Sequence, residues 1–203
     1  MNTKSLLSKS FLYVSTFTIA LAFSGCDDDE PMREDTPEMV TQIALTFSSA
    51  GEPLAFTATD PDGDGPEDIQ IDAPILLQAN TTYTLNIALI NGLASPGEPG
   101  YDLTAEVEEE ADEHIFFFGW EGGLFASPSG DGNLDNRDDS VNYEDEDSSG
   151  LPLGLTTTWL TGNGGTGAFR LVLKHQPGLK TSSSGSTTGE TDVDITFQVT
   201  VSN

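Results

Sequence analysis

Val193, Ile195, Phe197, Val199 and Val201 alternate with Asp194, Thr196, Gln198 and Thr200 near the end of the chain. An apolar residue at every second position buries one face of a β-strand and wets the other, and no helix can use that spacing. The same period runs through Ile43, Leu45 and Phe47, through Tyr83, Leu85, Ile87 and Leu89, and through Phe169, Leu171 and Leu173. Enrichment in Val, Thr and Phe extends the strand reading to 53–59, 68–77, 115–119 and 155–160. Turn formers separate these runs, as in Pro96-Gly97-Glu98-Pro99-Gly100 and Gly162-Asn163-Gly164-Gly165. Leu103 and Val107 sit four apart among glutamates and permit a helix over 102–113, but Thr104 and the phenylalanine run that follows favour a strand. About eight antiparallel strands in one domain predict an all-β fold, a single antiparallel β-sandwich of Ig-like or jelly-roll-like form over residues 40–203. Two loops are long: 121–154, dense in Asp, Gly, Asn and Ser, and 178–190, which reads as a flexible hairpin end.

The start of the chain is different in kind. Lys4 and Lys9 precede a mainly apolar run from Phe11 to Phe23, then Ser24, Gly25 and Cys26, the one cysteine of the chain. A basic start, a short apolar stretch and small residues before a cut site predict a secretory signal over 1–25. The run is too short for a spanning helix, which needs about 20 residues. Phe23-Ser24-Gly25-Cys26 resembles the lipobox of bacterial lipoproteins, with Phe23 where that family prefers leucine. The resemblance implies that Cys26 is lipidated on sulfur, becomes the mature N-terminus and ties the protein to a membrane. Residues 26–39, beginning Cys26-Asp27-Asp28-Asp29-Glu30, are acidic and poor in apolar groups, and read as a flexible tether. Acidic residues directly after the lipidated cysteine also resemble the surface-export signal of Bacteroidota lipoproteins. That implies an outer-membrane anchor with the domain facing outward; the periplasmic face is the alternative.

Charge narrows the partners. The chain has 34 acidic against 7 basic residues, a formal net charge of −27. Residues 1–25 hold Lys4 and Lys9 and no acidic residue, so the remainder is more acidic still. Such a surface repels nucleic acid and anionic headgroups and attracts cations. Acylation of Cys26 leaves no thiol for disulfides, metal ligation or nucleophilic catalysis.

Three acidic runs have the alternate-oxygen spacing that wraps a hard cation. They are Asp60-Pro-Asp62-Gly-Asp64-Gly65, Asp131-Gly-Asn133-Leu-Asp135-Asn136 and Asp145-Glu-Asp147-Ser-Ser149-Gly150. They resemble the front half of Ca²⁺ loops in EF-hand, dockerin and thrombospondin-type repeats. The bidentate glutamate of the twelfth position is missing, where Ile71, Asn142 and Thr156 stand. A site would need further oxygens from Asp68, Asp72, Asp138, Asp139 or Glu144. The same residue types also serve ordinary turns.

The two histidines are a separate candidate. His114 follows Glu108, Glu109, Glu110, Asp112 and Glu113 and opens the run Ile115-Phe116-Phe117-Phe118; His175 ends the Phe169, Leu171, Leu173 strand before Pro177. If their strands are neighbours, the two imidazoles and one carboxylate form a three-ligand site for Zn²⁺ or Cu²⁺. Haem ligation with Phe116, Phe118 or Trp120 against the macrocycle is the other possibility for these residues. The aromatic run itself, with Trp159, reads as core in preference to a binding platform. Gly162, Gly164 and Gly167 match a dinucleotide fingerprint but precede a strand where that motif needs a helix. Nucleophile elbow, P-loop and zincin motifs are missing, and the chain is expected not to be an enzyme.

Five blocks carry a wider resemblance: Ala79 to Leu85, Asp112 to Phe118, Pro152 to Trp159, Leu171 to Pro177 and Gly189 to Phe197. Together they look like an uncharacterised group of Bacteroidota envelope lipoproteins often labelled "type 1 periplasmic binding fold". That label describes two large α/β lobes and conflicts with the strand alternation here. The resemblance implies an envelope location and association with TonB-dependent outer-membrane receptors. Two functions follow as expectations: a lipid-anchored binding protein for a metal ion or haem, or a calcium-stabilised structural or adhesive surface protein without a small ligand.

Overall fold

Each alternating run closes as a strand with its apolar set inward. The computed structural model describes residues 39–63, 69–121 and 123–203. Ten strands and one helix are described: β1 (Gln42–Ser48), β2 (Leu54–Thr59), β3 (Gln70–Ile71), β4 (Ile75–Gln78), β5 (Thr82–Ile90), α1 (Leu103–Glu109), β6 (His114–Trp120), β7 (Phe125–Ser127), β8 (Thr156–Thr161), β9 (Gly165–His175) and β10 (Glu190–Ser202). They form a six-stranded sheet in the order β3-β2-β1-β5-β8-β7 and a four-stranded sheet in the order β4-β10-β9-β6. Every pairing is antiparallel except β4 with β10, which is parallel. The fold is an all-β sandwich, as the alternation predicts.

The inner faces meet through aromatic rings. Trp159 of β8 lies 5.5 Å from Phe118 of β6, 5.1 Å from Trp120, 4.7 Å from Phe125 and 5.1 Å from Phe169 of β9, centroid to centroid. Its indole N–H donates to Thr157 Oγ1 at 2.7 Å, so the buried donor is satisfied. Phe116, Phe118 and Trp120 therefore belong to the core, and the platform reading of these aromatics is set aside.

Four expectations are corrected. Residues 103–109 are helical: the Asp102 carboxylate caps the amide of Ala105, and Leu103 and Val107 bury on one face. Where one strand was expected over 68–77, the described residues form β3 and β4 in different sheets, because Pro74 has no N–H to donate and the chain crosses between layers at 72–74. The 121–154 loop holds β7 and several bridges. The 178–190 loop is also organised, around buried Gln176, whose side-chain amide donates to the carbonyls of Gly185 and Thr188 and accepts from Ser184 Oγ.

β6 is an edge strand, and its free edge is covered. The amide of Trp120 donates to the carbonyl of Asp131, the amide of Asn133 to that of Phe118, and the amide of Phe116 to that of Leu153. Covering an edge in this way blocks pairing with a second chain. The approach at Gly132 requires glycine: its φ is +101°, and an added Cβ would lie 2.0 Å from the carbonyl oxygen of Phe118. Gly132→Ala is expected to cost about 3 kcal/mol, from a disfavoured backbone plus displacement of the edge cover. Gly97→Ala, at φ +88° with nothing within 4 Å of the new Cβ, is the comparison and is expected to cost about 1 kcal/mol. Urea midpoints of the two variants measure the difference.

Candidate metal centre

The strand register brings the two histidines together. β6 and β9 run antiparallel with His114 opposite His175, at the end where β6 begins and β9 ends. Their period-two parity follows Phe116 and Leu173, so both rings point into the sandwich. The rings stack with centroids 4.6 Å apart and planes 6° from parallel. Both residues are buried, His114 at 0% and His175 at 3% exposure.

Acidic groups surround the pair. Among the described residues, one group of three His, Asp or Glu side chains is placed to share an ion. It is Glu110, His114 and His175, with donor atoms within 4.8 Å of one another. His114 Nδ1 lies 3.2 Å from the main-chain carbonyl of Glu110. A carbonyl only accepts, so Nδ1 carries the hydrogen and Nε2 the lone pair. That Nε2 is buried, makes no hydrogen bond and lies 3.8 Å from Asp192 Oδ2. His175 Nε2 lies 3.4 Å from the Glu113 carboxylate, which in the neutral tautomer leaves the lone pair on Nδ1. Burial lowers the His114 pKa to about 4, opposed by the Glu110 carbonyl and reinforced by His175. His114 is therefore a neutral imidazole at neutral pH, the form that binds metals. Donation of the second ring nitrogen to a carbonyl or carboxylate is the arrangement that orients metal-bound histidines.

Lys180 closes the same end. Its ammonium contacts Asp147 Oδ2 at 3.0 Å and donates to the Ala111 carbonyl at 2.6 Å, with both charged side chains buried. Burial lowers the Lys180 pKa, against the pull of Asp147. For Asp147, desolvation raises the pKa but amides of Leu151 and Ser149 and the Lys180 ammonium outweigh it, and the net shift is downward. The pair ties the α1–β6 turn to the 147 and 180 loops. Removing one partner alone would leave a buried charge uncompensated.

The three acidic runs are used differently. Asp60 Oδ1 accepts from the amides of Asp62 and Gly63, closing a turn. Asp64 and Asp68 lie outside the described residues, as does Cys26. Asp131 and Asp135 are exposed, and Asn133 is buried with Oδ1 accepting from the Phe118 amide and Nδ2 donating to Tyr143 Oη. Asp145 accepts from the amides of Gly154 and Thr156, and Asp147 Oδ1 from those of Ser149 and Leu151. Ser149 is exposed. Among the described residues, none of the runs brings three carboxylates onto one point. Their oxygens chiefly satisfy loop amides.

Comparison with protein-family models, curated proteins and solved structures returned no match. The geometry of the histidine end therefore stands on its own. Neither imidazole presents an open face, and the phenylalanines beside them are packed on each other, so the residues do not fit a haem. The sequence offers His114 and His175 as candidates, but neither their meeting across one rung nor the tautomers set by Glu110 and Glu113 were legible from it. Among the described residues no helix is long and apolar enough to cross a membrane.

Proposed function

We propose that this chain is a lipid-anchored cell-envelope binding protein, non-enzymatic, that takes up a divalent transition-metal ion at the His114–His175 end of its sandwich. The observation that carries the reading is the cross-strand histidine pair, buried, ringed by carboxylates, and held with one imidazole nitrogen bare. Water would satisfy an exposed imidazole, but a bare nitrogen in a buried site is costly unless a proton or cation occupies it. Two imidazoles and a carboxylate suit Zn²⁺ or Cu²⁺ and do not suit Ca²⁺, which takes six to eight oxygens. The strongly acidic surface supports the reading by raising the local concentration of cations. The lipobox-like Cys26 and the acidic tether support an outer-membrane anchor facing outward. The resemblance to Bacteroidota envelope lipoproteins makes a TonB-dependent receptor the partner to test.

Calorimetric titration of the purified protein with Zn²⁺ and Cu²⁺ tests the metal reading. The expected result is a single saturable site, abolished in His114→Gln and in His175→Gln while the fold is kept. Saturable binding that both substitutions leave intact would place the ion elsewhere and end the proposal. Labelling of Cys26 with a radioactive fatty acid, lost in Cys26→Ser, tests the anchor.

A further inference from the structure

We infer that the end of the sandwich opposite the histidines is a second ligand site, for a neutral polyhydroxylated molecule such as a sugar unit. β10 runs between the two ends, beginning with Glu190 opposite His175 and ending with Ser202 opposite Gln78. There the β1–β2 turn and the β4–β5 turn flank a cleft of about 590 Å³. That volume lies within the range of small-molecule sites, about 300 to 1,000 Å³. The inference does not depend on the metal reading.

The β4–β5 turn is fixed by its own hydrogen bonds. Thr161 of β8, fully buried, accepts from the Thr81 amide at 2.9 Å and donates to the Gln78 carbonyl at 2.6 Å. The Asn80 amide donates to the Gly162 carbonyl at 3.0 Å. Among the described residues Asn80 is the one non-glycine at positive φ, 52°, a conformation that asparagine tolerates. Gln78, Asn80 and Thr82 of this turn all line the cleft. A wall held in this way loses little freedom on binding.

The lining is unlike the rest of this acidic surface. The chain has 34 acidic residues, yet the cleft carries one carboxylate, Glu52, and no Lys, Arg or His. Gln78, Asn80, Thr82 and Glu52 are exposed, and their side chains make no hydrogen bond to the described residues. Amide and hydroxyl side chains both donate and accept, as sugar hydroxyls do, and a carboxylate can accept from two adjacent hydroxyls. Leu54 and Tyr83 supply apolar surface for the C–H face of a ring. Tyr83 is 2% exposed, and its Oη accepts from the Gln78 amide at 3.0 Å, which leaves the phenolic hydrogen without an acceptor among the described residues. A ligand oxygen would satisfy it. Phosphate or a carboxylate would meet Glu52 with no cation to offset the repulsion. The cleft over Gly119 differs in kind: Glu121, Asp131 and Asp135 line it, and its Arg170 is held in a bidentate pair with Asp194.

The test is a ¹⁵N-resolved NMR titration of the purified protein with glucose, galactose, mannose and N-acetylglucosamine at millimolar concentration. Inorganic phosphate and spermidine are the charged controls. At least one sugar is expected to give saturable shifts confined to amides of 49–54 and 78–83, with neither control doing so. Asn80→Gly keeps the left-handed backbone and Glu52→Gln keeps the shape; each is expected to weaken that binding by at least about fivefold. Resonances outside the two segments report folding, and if one variant does not fold the other decides. No saturable shift with any of the four sugars, shifts centred elsewhere, or wild-type affinity in the folded variants would overturn the inference. Phosphate or spermidine binding in the cleft as tightly as the sugar would overturn the neutral class.

Discussion

Trp159→Ala is expected to cost about 4 kcal/mol, the largest loss of any single substitution considered for this domain. Trp159 is fully buried, and its ring meets Phe118, Trp120, Phe125 and Phe169, which come from both sheets. Truncation removes the transfer energy of the indole and leaves a cavity between layers that rigid strands cannot collapse to fill. It also removes the donor that satisfies the hydroxyl of buried Thr157. A domain of this size has a total stability of roughly 5 to 15 kcal/mol, so the variant sits near the edge of folding. Urea denaturation followed by tryptophan fluorescence, now reporting Trp120 alone, measures the shift in midpoint. Trp159→Phe, which keeps most of the ring contacts, should recover about half of the loss.

Acid is expected to weaken the domain through His114, from about pH 6.5 downward. His114 has a folded pKa of about 4 against an ordinary value of 6.5, and desolvation is the main cause. Between those values the unfolded chain binds a proton that the folded chain refuses. Stability is therefore unaffected above about pH 6.5, falls as pH drops through the window from about 6.5 to 4, and levels off below it. The full shift corresponds to about 3 kcal/mol. Groups facing the ring are His175 from β9, Asp192 from β10, Glu110 and Glu113 from the α1–β6 turn, and Lys180 from the following loop. Asp147 adds acid sensitivity of its own, but its folded pKa is lowered, so that loss comes below the usual carboxylate range. The two are separable: thermal melts in chelator from pH 7.5 to 4 should show the His114 slope in wild type and a flat response in His114→Gln. Equal slopes in both would mean that His114 does not carry the acid response.

The strands were legible because burial in a sandwich has the period of the backbone. Ile43 to Phe47, Tyr83 to Leu89 and Val193 to Val201 each bury the residues the alternation marked. What failed was local competition. At 102–113 a capping aspartate and a four-residue apolar spacing outweighed the strand signal, and at 68–77 one proline split a run between two sheets.

The candidate site was half legible for a related reason. His114 and His175 announce themselves as strand termini near carboxylates, but whether they meet depends on strand order, which no local pattern encodes. In the calcium-like runs the same residue types have a second use. Asp145, Asp147 and Asn133 have the residue types of a cation loop, yet their oxygens are taken by amides of the loops they fold. A loop with many turns needs acceptors for its amides, and Asp and Asn supply them whether or not an ion is present.

The most direct test of the metal assignment is the metal content of the protein purified without chelator, by inductively coupled plasma analysis, alongside the His114→Gln, His175→Gln double variant. The account predicts close to one zinc or copper per chain in wild type and background in the double variant. Wild type that holds neither metal as isolated, and takes up neither when supplied, would contradict it.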